Sequence, residues 1–373
     1  MEEIIVVRSK GKVNYLEVAT FLFLTLSAVL GATALSILSG KVSNIFIFQL
    51  AGFIYGLSAL LYIFQFFFKS ERIGNLATLT AFLGWLTSTV GLFVRGIESY
   101  KMGIFHPPWT NLYESLMFFP WLAVGLYLYI EREYKTKFIG AFFLPIVAFL
   151  VIWGHKFNTD ISPLVPALRS YWLYLHVIAS FVGYAGFTVA FGASFAYLIK
   201  ENYKEDKQVK PIHLGGFFVS GLLSILFGYL TLHGAKDIKT LIIGVVFFTV
   251  LISSLYFATF VLKPIGNRLP EDSILSEIAF KSVAISFPIW TASIMLGGAW
   301  ANEAWGSYWS WDPKETWAFI VWLFFAAYIH GKTIGKWKGR TSAWIAVAGF
   351  VMLLICYFGV NLYFPGLHSY ATE

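Results

Sequence analysis

Apolar runs of about twenty residues, separated by short polar stretches, recur from one end of this 373-residue chain to the other. A helix of that length spans the hydrocarbon core of a bilayer, and in lipid only helices and closed barrels satisfy their own backbone groups. The runs predict eleven helical spans, at about 16–39, 44–68, 74–97, 112–131, 138–154, 171–199, 213–233, 240–262, 281–302, 315–331 and 341–362. The expected fold class is all-α, a polytopic transmembrane helical bundle. Charged residues at the N-terminus precede an apolar run of full spanning length with no small-residue cleavage site after it, which predicts a retained helix rather than a signal peptide.

Composition agrees with the pattern: 58% of the residues are hydrophobic and 13% charged, which excludes a soluble core. Most of the 27 Lys and Arg fall in alternate loops if the N-terminus is cytoplasmic, whereas Lys41, Arg95, Lys101, Lys156, Arg169, Lys236, Lys239 and Lys314 lie on or near the other side. The positive-inside rule then places the C-terminus outside, and it accounts for the net charge of +7 by membrane lipid contacts with no nucleic acid. Residues 1–15 form a cytoplasmic N-terminal segment, and 16–373 form a single transmembrane domain with short loops. The one cysteine, Cys356, lies in the last apolar run, so no disulfide, thiolate metal site or thiol relay can be built within the chain.

Against this background one polar-looking stretch stands out, GAWANEAWGSYWSWDPKETWAF, at 298–319. It carries Trp300, Trp305, Trp309, Trp311 and Trp317, with Gly306, Ser307 and Ser310 as spacers and Asp312-Pro313 at its close. Tryptophan is enriched at bilayer surfaces because its ring is apolar yet carries an N–H donor, and one or two would need no other reason. Five within eighteen residues point instead to a wall for a large flat ligand. His176 begins the sixth span and His368 lies in the C-terminal tail, both on the same side as the tryptophans. A neutral imidazole is a good iron ligand, so this placement suits a planar iron macrocycle, although a lone histidine at a helix end is also an ordinary interfacial residue. His330 lies thirteen residues beyond Trp317, about 20 Å inward at the helical rise. His213 and His233 occupy opposite ends of one span and read as interfacial; His106 and His155 lie in outer loops.

The run WGSYWSWDPKETWA, with His176 upstream and His330 and His368 downstream, resembles the haem-handling membrane proteins that share a tryptophan-rich WWD signature. Within them the chain is similar to the CcsA/ResC family, the larger subunit of the System II cytochrome c synthase. TNLYESLMFF after the third span, LVPALRSYWLYLHV before the sixth and GVNLYFPGLHSY at the end carry the same resemblance, which extends from about residue 50 onward. It implies that His176 and His368 are external axial ligands of haem iron, that His330 is an intramembrane ligand on the route in, and that Trp305, Gly306, Trp309, Trp311 and Asp312 form the core of the signature. The haem platform expected is Trp300, Trp305, Gly306, Trp309, Trp311, Asp312 and Trp317, within a WWD segment at 298–317, and the cofactor is haem b, handled as substrate.

The resemblance further implies cytochrome c biogenesis: haem is moved across the membrane and, with a CcsB/ResB partner, attached to the CXXCH segment of apocytochrome c. A thiol-reducing protein is an expected further partner, and the membrane is the bacterial cytoplasmic membrane or the thylakoid, with the site periplasmic or lumenal. Two alternatives stay open, a haem exporter or chaperone without synthase activity and a bis-histidine membrane electron carrier. Compared with shorter members of the family, a two-span insertion at 211–265 is expected, and the first span also looks additional. No residue suggests a general acid or base. Asp312, followed by Pro313 and by Glu315 three residues on, reads as a helix cap before it reads as a catalyst. Lys314 and Arg169 are candidates to pair with haem propionates, and Glu114 suits the positive end of the fourth span.

Overall fold

The computed structural model describes Gly31 and residues 43–104, 106–233, 238–337, 339–364, 366 and 367. The predicted first span therefore lies outside the described residues apart from Gly31, as does His368. Ten long helices follow: α1 (Asn44–Phe68), α2 (Glu71–Lys101), α3 (Leu112–Tyr134), α4 (Phe138–Gly154), α5 (Tyr171–Lys204), α6 (Pro211–His233), α7 (Ile238–Val261), α8 (Asp272–Trp305), α9 (Pro313–Thr333) and α10 (Gly339–Leu354). Among the described residues there is no strand. Each of the predicted spans two to eleven coincides with one of these helices.

Six helices are long and apolar enough to cross a membrane, and segments of α4, α6 and α7 are shorter apolar helices. α9 falls in neither group. Its 21 residues include Lys314, Glu315, His330 and Lys332, and these lower its mean hydropathy although it packs between α8 and α10. α8 begins at Asp272, nine residues before the predicted start, because hydropathy marks only the apolar part of a helix. Its first turns are polar, with Asp272 accepting from Lys204 Nζ at 2.6 Å and Glu277 paired to Lys281 at 2.6 Å. α10 runs into a π-helical turn, Ile355–Gly359, before a last turn, Val360–Tyr363.

Successive helices alternate in direction, so their ends gather into two groups. One holds the C-termini of α2, α4, α8 and the α10 extension with the N-termini of α1, α3, α5 and α9; it carries the tryptophan segment. Turns at the opposite end contain Lys69, Lys135, Lys207, Lys263 and Lys336. The main apolar core runs through α1 to α5 and α8 to α10, with Tyr55, Tyr62, Tyr113, Tyr127 and Phe187 fully buried. Tyrosine is tolerated there because its hydroxyl finds a partner: Tyr62 donates to Glu131 at 2.5 Å, and Tyr127 and Thr78 donate to the same carboxylate. α6 and α7 pack chiefly against one another, as a hairpin at the edge of the bundle.

Candidate functional site

The C-terminus of α8 ends where Gly306 takes a left-handed conformation, φ 77°, and returns its N–H to Asn302 O at 2.9 Å. That is the usual stop for a helix, and glycine adopts it without the Cβ penalty. The chain then crosses to α9 through Ser307–Asp312. Trp311 is also left-handed, φ 60°, an uncommon state for a bulky side chain. Glu315 holds it there by straddling it: its Oε2 accepts from Ser310 N at 2.8 Å and from Asp312 N at 3.2 Å. Thr316 Oγ1 adds a bond to Trp311 O at 3.3 Å. The result is a Trp311 that is 68% exposed, its ring edge-on to Trp309 at 5.7 Å.

Asp312 is the N-cap of α9 and completes a capping box with Glu315, as the DPKE spacing predicts. Its Oδ1 accepts from Lys314 N at 3.4 Å, while its Oδ2 accepts from Leu367 N at 3.1 Å, a bond spanning 55 residues. The second bond is invisible in sequence. Lys314 Nζ donates to Asn361 Oδ1 at 2.8 Å and to the Cys356 carbonyl at 3.1 Å, inside the π-helical turn where the regular ladder is interrupted. Trp317 meets Phe364 at 6.3 Å. The segment after α10 is thus laid across the head of α9.

His176, on the second turn of α5, sits between two clefts at this end. One is walled by Trp109, Asn111, Phe181, Tyr357 and Asn361, the other by Trp290, Gly297, Gly298, Tyr308 and Trp309, with His176, Trp300 and Lys314 common to both. The imidazole Nδ1 lies 2.7 Å from the Ser293 carbonyl. A carbonyl only accepts, so Nδ1 carries the proton and Nε2 carries the lone pair that a metal would take. Trp300 stacks on the ring at 6.1 Å and is itself fixed by donating Nε1 to Ala167 O at 2.7 Å. Gly297 makes room for this arrangement, since a Cβ there would sit 2.8 Å from Nδ1. Trp305 packs on Trp300 with ring centroids 5.0 Å apart. Trp109 Nε1 is buried without a hydrogen-bond partner on the wall of the first cleft, and Glu315 Oε1 likewise borders the second.

The structure therefore brings together His176, Trp300, Trp305, Trp309, Trp311 and Asp312. Trp317 faces the chain after α10 rather than His176. His330 is in the last turn of α9, at the opposite end of the bundle, with its side chain exposed. The position of His368 lies outside the described residues; its chain neighbour Leu367 is bonded to Asp312. Arg169 is exposed and donates to Leu164 O at 2.9 Å. His155 is the C-cap residue of α4, its Nδ1 bonded to Val151 O at 2.8 Å, and His106 is buried and bonded through Nδ1 to Pro107 O and Thr110 Oγ1. Among the described residues no group of three or more His, Cys, Asp or Glu could hold a bare metal ion.

Sequence reasoning missed the support beneath the TNLYES segment. Glu114 is not only an acid at a helix start: it is 1% exposed and bound to Arg95 Nε at 2.9 Å, and its Oε2 accepts from Thr110 N and Oγ1 at 2.8 and 2.9 Å. Arg95 also donates to Thr159 O at 2.7 Å and Asp160 O at 3.0 Å. This one ion pair joins α2, the loop carrying Trp109 to Asn111, and the chain after α4.

The family described as cytochrome C assembly protein matches residues 109–368. The cytochrome c biogenesis protein CcsA of a Synechocystis species is 38% identical over 295 residues, covering 76% of this chain and 84% of that protein. CcsA of Cyanophora paradoxa is 34% identical over 324 residues, covering 85% and 94%. Among solved structures, the cytochrome c haem lyase CcmF aligns with a TM-score of 0.51 at 14% identity over 86% of this chain. The chain covers 51% of that longer protein, and the likeness is one of fold.

Proposed function

The chain belongs to the cytochrome C assembly protein family, and from its site we propose that it presents haem to apocytochrome c for covalent attachment, together with a CcsB/ResB-like membrane subunit. His176 carries the reading. Its tautomer is set by Ser293 O, its plane by Trp300, and it stands at the edge of an indole cluster on one end of a membrane bundle. That combination supports binding of haem iron through Nε2 beside the indole cluster, and the orphaned Trp109 N–H offers a donor to a carboxylate. His368 is the proposed second ligand. His330, exposed on α9 at the basic end, is the proposed intramembrane ligand, on a face open to a partner subunit. By the positive-inside rule the basic end is cytoplasmic and the tryptophan end is outside.

The chemistry asked of the protein is placement. Each cysteine S–H of the CXXCH segment adds across a haem vinyl group: a C–S bond forms, the proton goes to the neighbouring carbon, and no net electron transfer occurs. Holding two thiols against two vinyl carbons can supply roughly 7–11 kcal/mol of the barrier. No general base is assigned in this chain. The discriminating experiment is co-expression with its partner and an apocytochrome in a host lacking other maturation machinery. Covalently bound haem on the cytochrome, lost in His176→Ala, is the expected result. Haem exported but left unattached by the complete pair would favour the chaperone reading.

A further inference from the structure

We propose that Asp312 is a positioning residue for the C-terminal tail, its two carboxylate oxygens locking the start of α9 to the segment that ends in His368. The proposal rests on the reading of His368 as a haem ligand. A cap alone requires one acceptor, and Oδ1 serves that purpose toward Lys314 N. Oδ2 is turned to another partner, Leu367 N, at 3.1 Å, one residue before His368. Asp312 is 6% exposed, so a carboxylate oxygen left there without a donor is costly.

Two further features point the same way. The segment is already guided to this spot by Asn361 on Lys314 and Phe364 on Trp317, and the Asp312 bond holds it at the residue next to His368. Gly366 is fitted to the approach: a Cβ there would collide with Asp312 Oδ2 and come within 3.1 Å of Pro313 Cδ. Aspartate presents an acceptor to each N–H, whereas asparagine in the same pose would turn its NH2 donor toward one of them.

The test uses the full chain purified with its partner subunit. Gly366→Ala keeps the Asp312 carboxylate and crowds the tail against it, while Asp312→Asn keeps a good cap residue and removes one acceptor. In both variants the low-spin haem spectrum is expected to shift toward high-spin, as in His368→Ala, and added imidazole is expected to restore it. A spin label at Ser369→Cys, in a Cys356→Ala background, is expected to gain mobility in both. Unchanged label mobility would show that Asp312 does not hold the tail, and a freed label with an unchanged spectrum would show that the hold does not position a ligand. If His368→Ala itself leaves the spectrum intact, the ligand reading fails and the inference falls with it. If His368→Ala alters the spectrum and Gly366→Ala does not, only the anchor is overturned.

Discussion

Arg95 and Glu114 carry charges at 2% and 1% exposure, and they are tolerable there because every strong group on them has a partner. Removing one partner leaves the other charge buried and alone, which costs about 3–5 kcal/mol, whereas replacing both by apolar residues of similar volume is often close to neutral. Arg95→Ala is expected to lower the thermal midpoint sharply and Arg95→Met with Glu114→Met to recover much of the loss, read by a melting curve in detergent. A double variant no more stable than the single would contradict a paired cost. This pair was not legible because its members lie 19 residues apart on successive helices, and Glu114 alone is fully explained as an acid at a helix start. The Asp312 cap was legible because its partner is three residues away in sequence. Its second bond, 55 residues away, and the left-handed Trp311 were not, since both depend on how the tail and the loop are folded together.

Helices α1 to α10 fall on the predicted apolar runs because runs of that length and composition favour helix, and six of the helices are long and apolar enough to cross a membrane. The departures occur where that pattern fades: at the polar first turns of α8, at the low hydropathy of α9, and at the π-helical turn of α10, which no apolar pattern marks. The α6–α7 hairpin makes most of its contacts internally and only light ones with α5 and α10. Deleting 211–265 removes two antiparallel helices together, so the direction of α8 to α10 is expected to stay as it is. A C-terminal reporter that reports the same side of the membrane in the full chain and the deletion would agree with this; reversed sidedness would contradict it.

In the whole molecule the site is assembled from distant parts: Trp109 to Asn111, His176, Gly297 to Asp312, and the chain from Cys356 to Leu367 meet at one end. The tryptophans and His176 were legible as candidates because each is chemically conspicuous in an apolar chain. Their convergence with the TNLYES segment was not, because it follows from antiparallel packing rather than from any local pattern. The central claim is that His176 holds haem at this end, and it is tested most directly by the reduced absorption spectrum of the purified chain with its partner, wild type against His176→Ala. A low-spin haem spectrum in the wild type that is lost or turns high-spin in the variant, and returns on adding imidazole, is the predicted result. The same low-spin spectrum in both proteins would place the bound haem elsewhere and contradict the account.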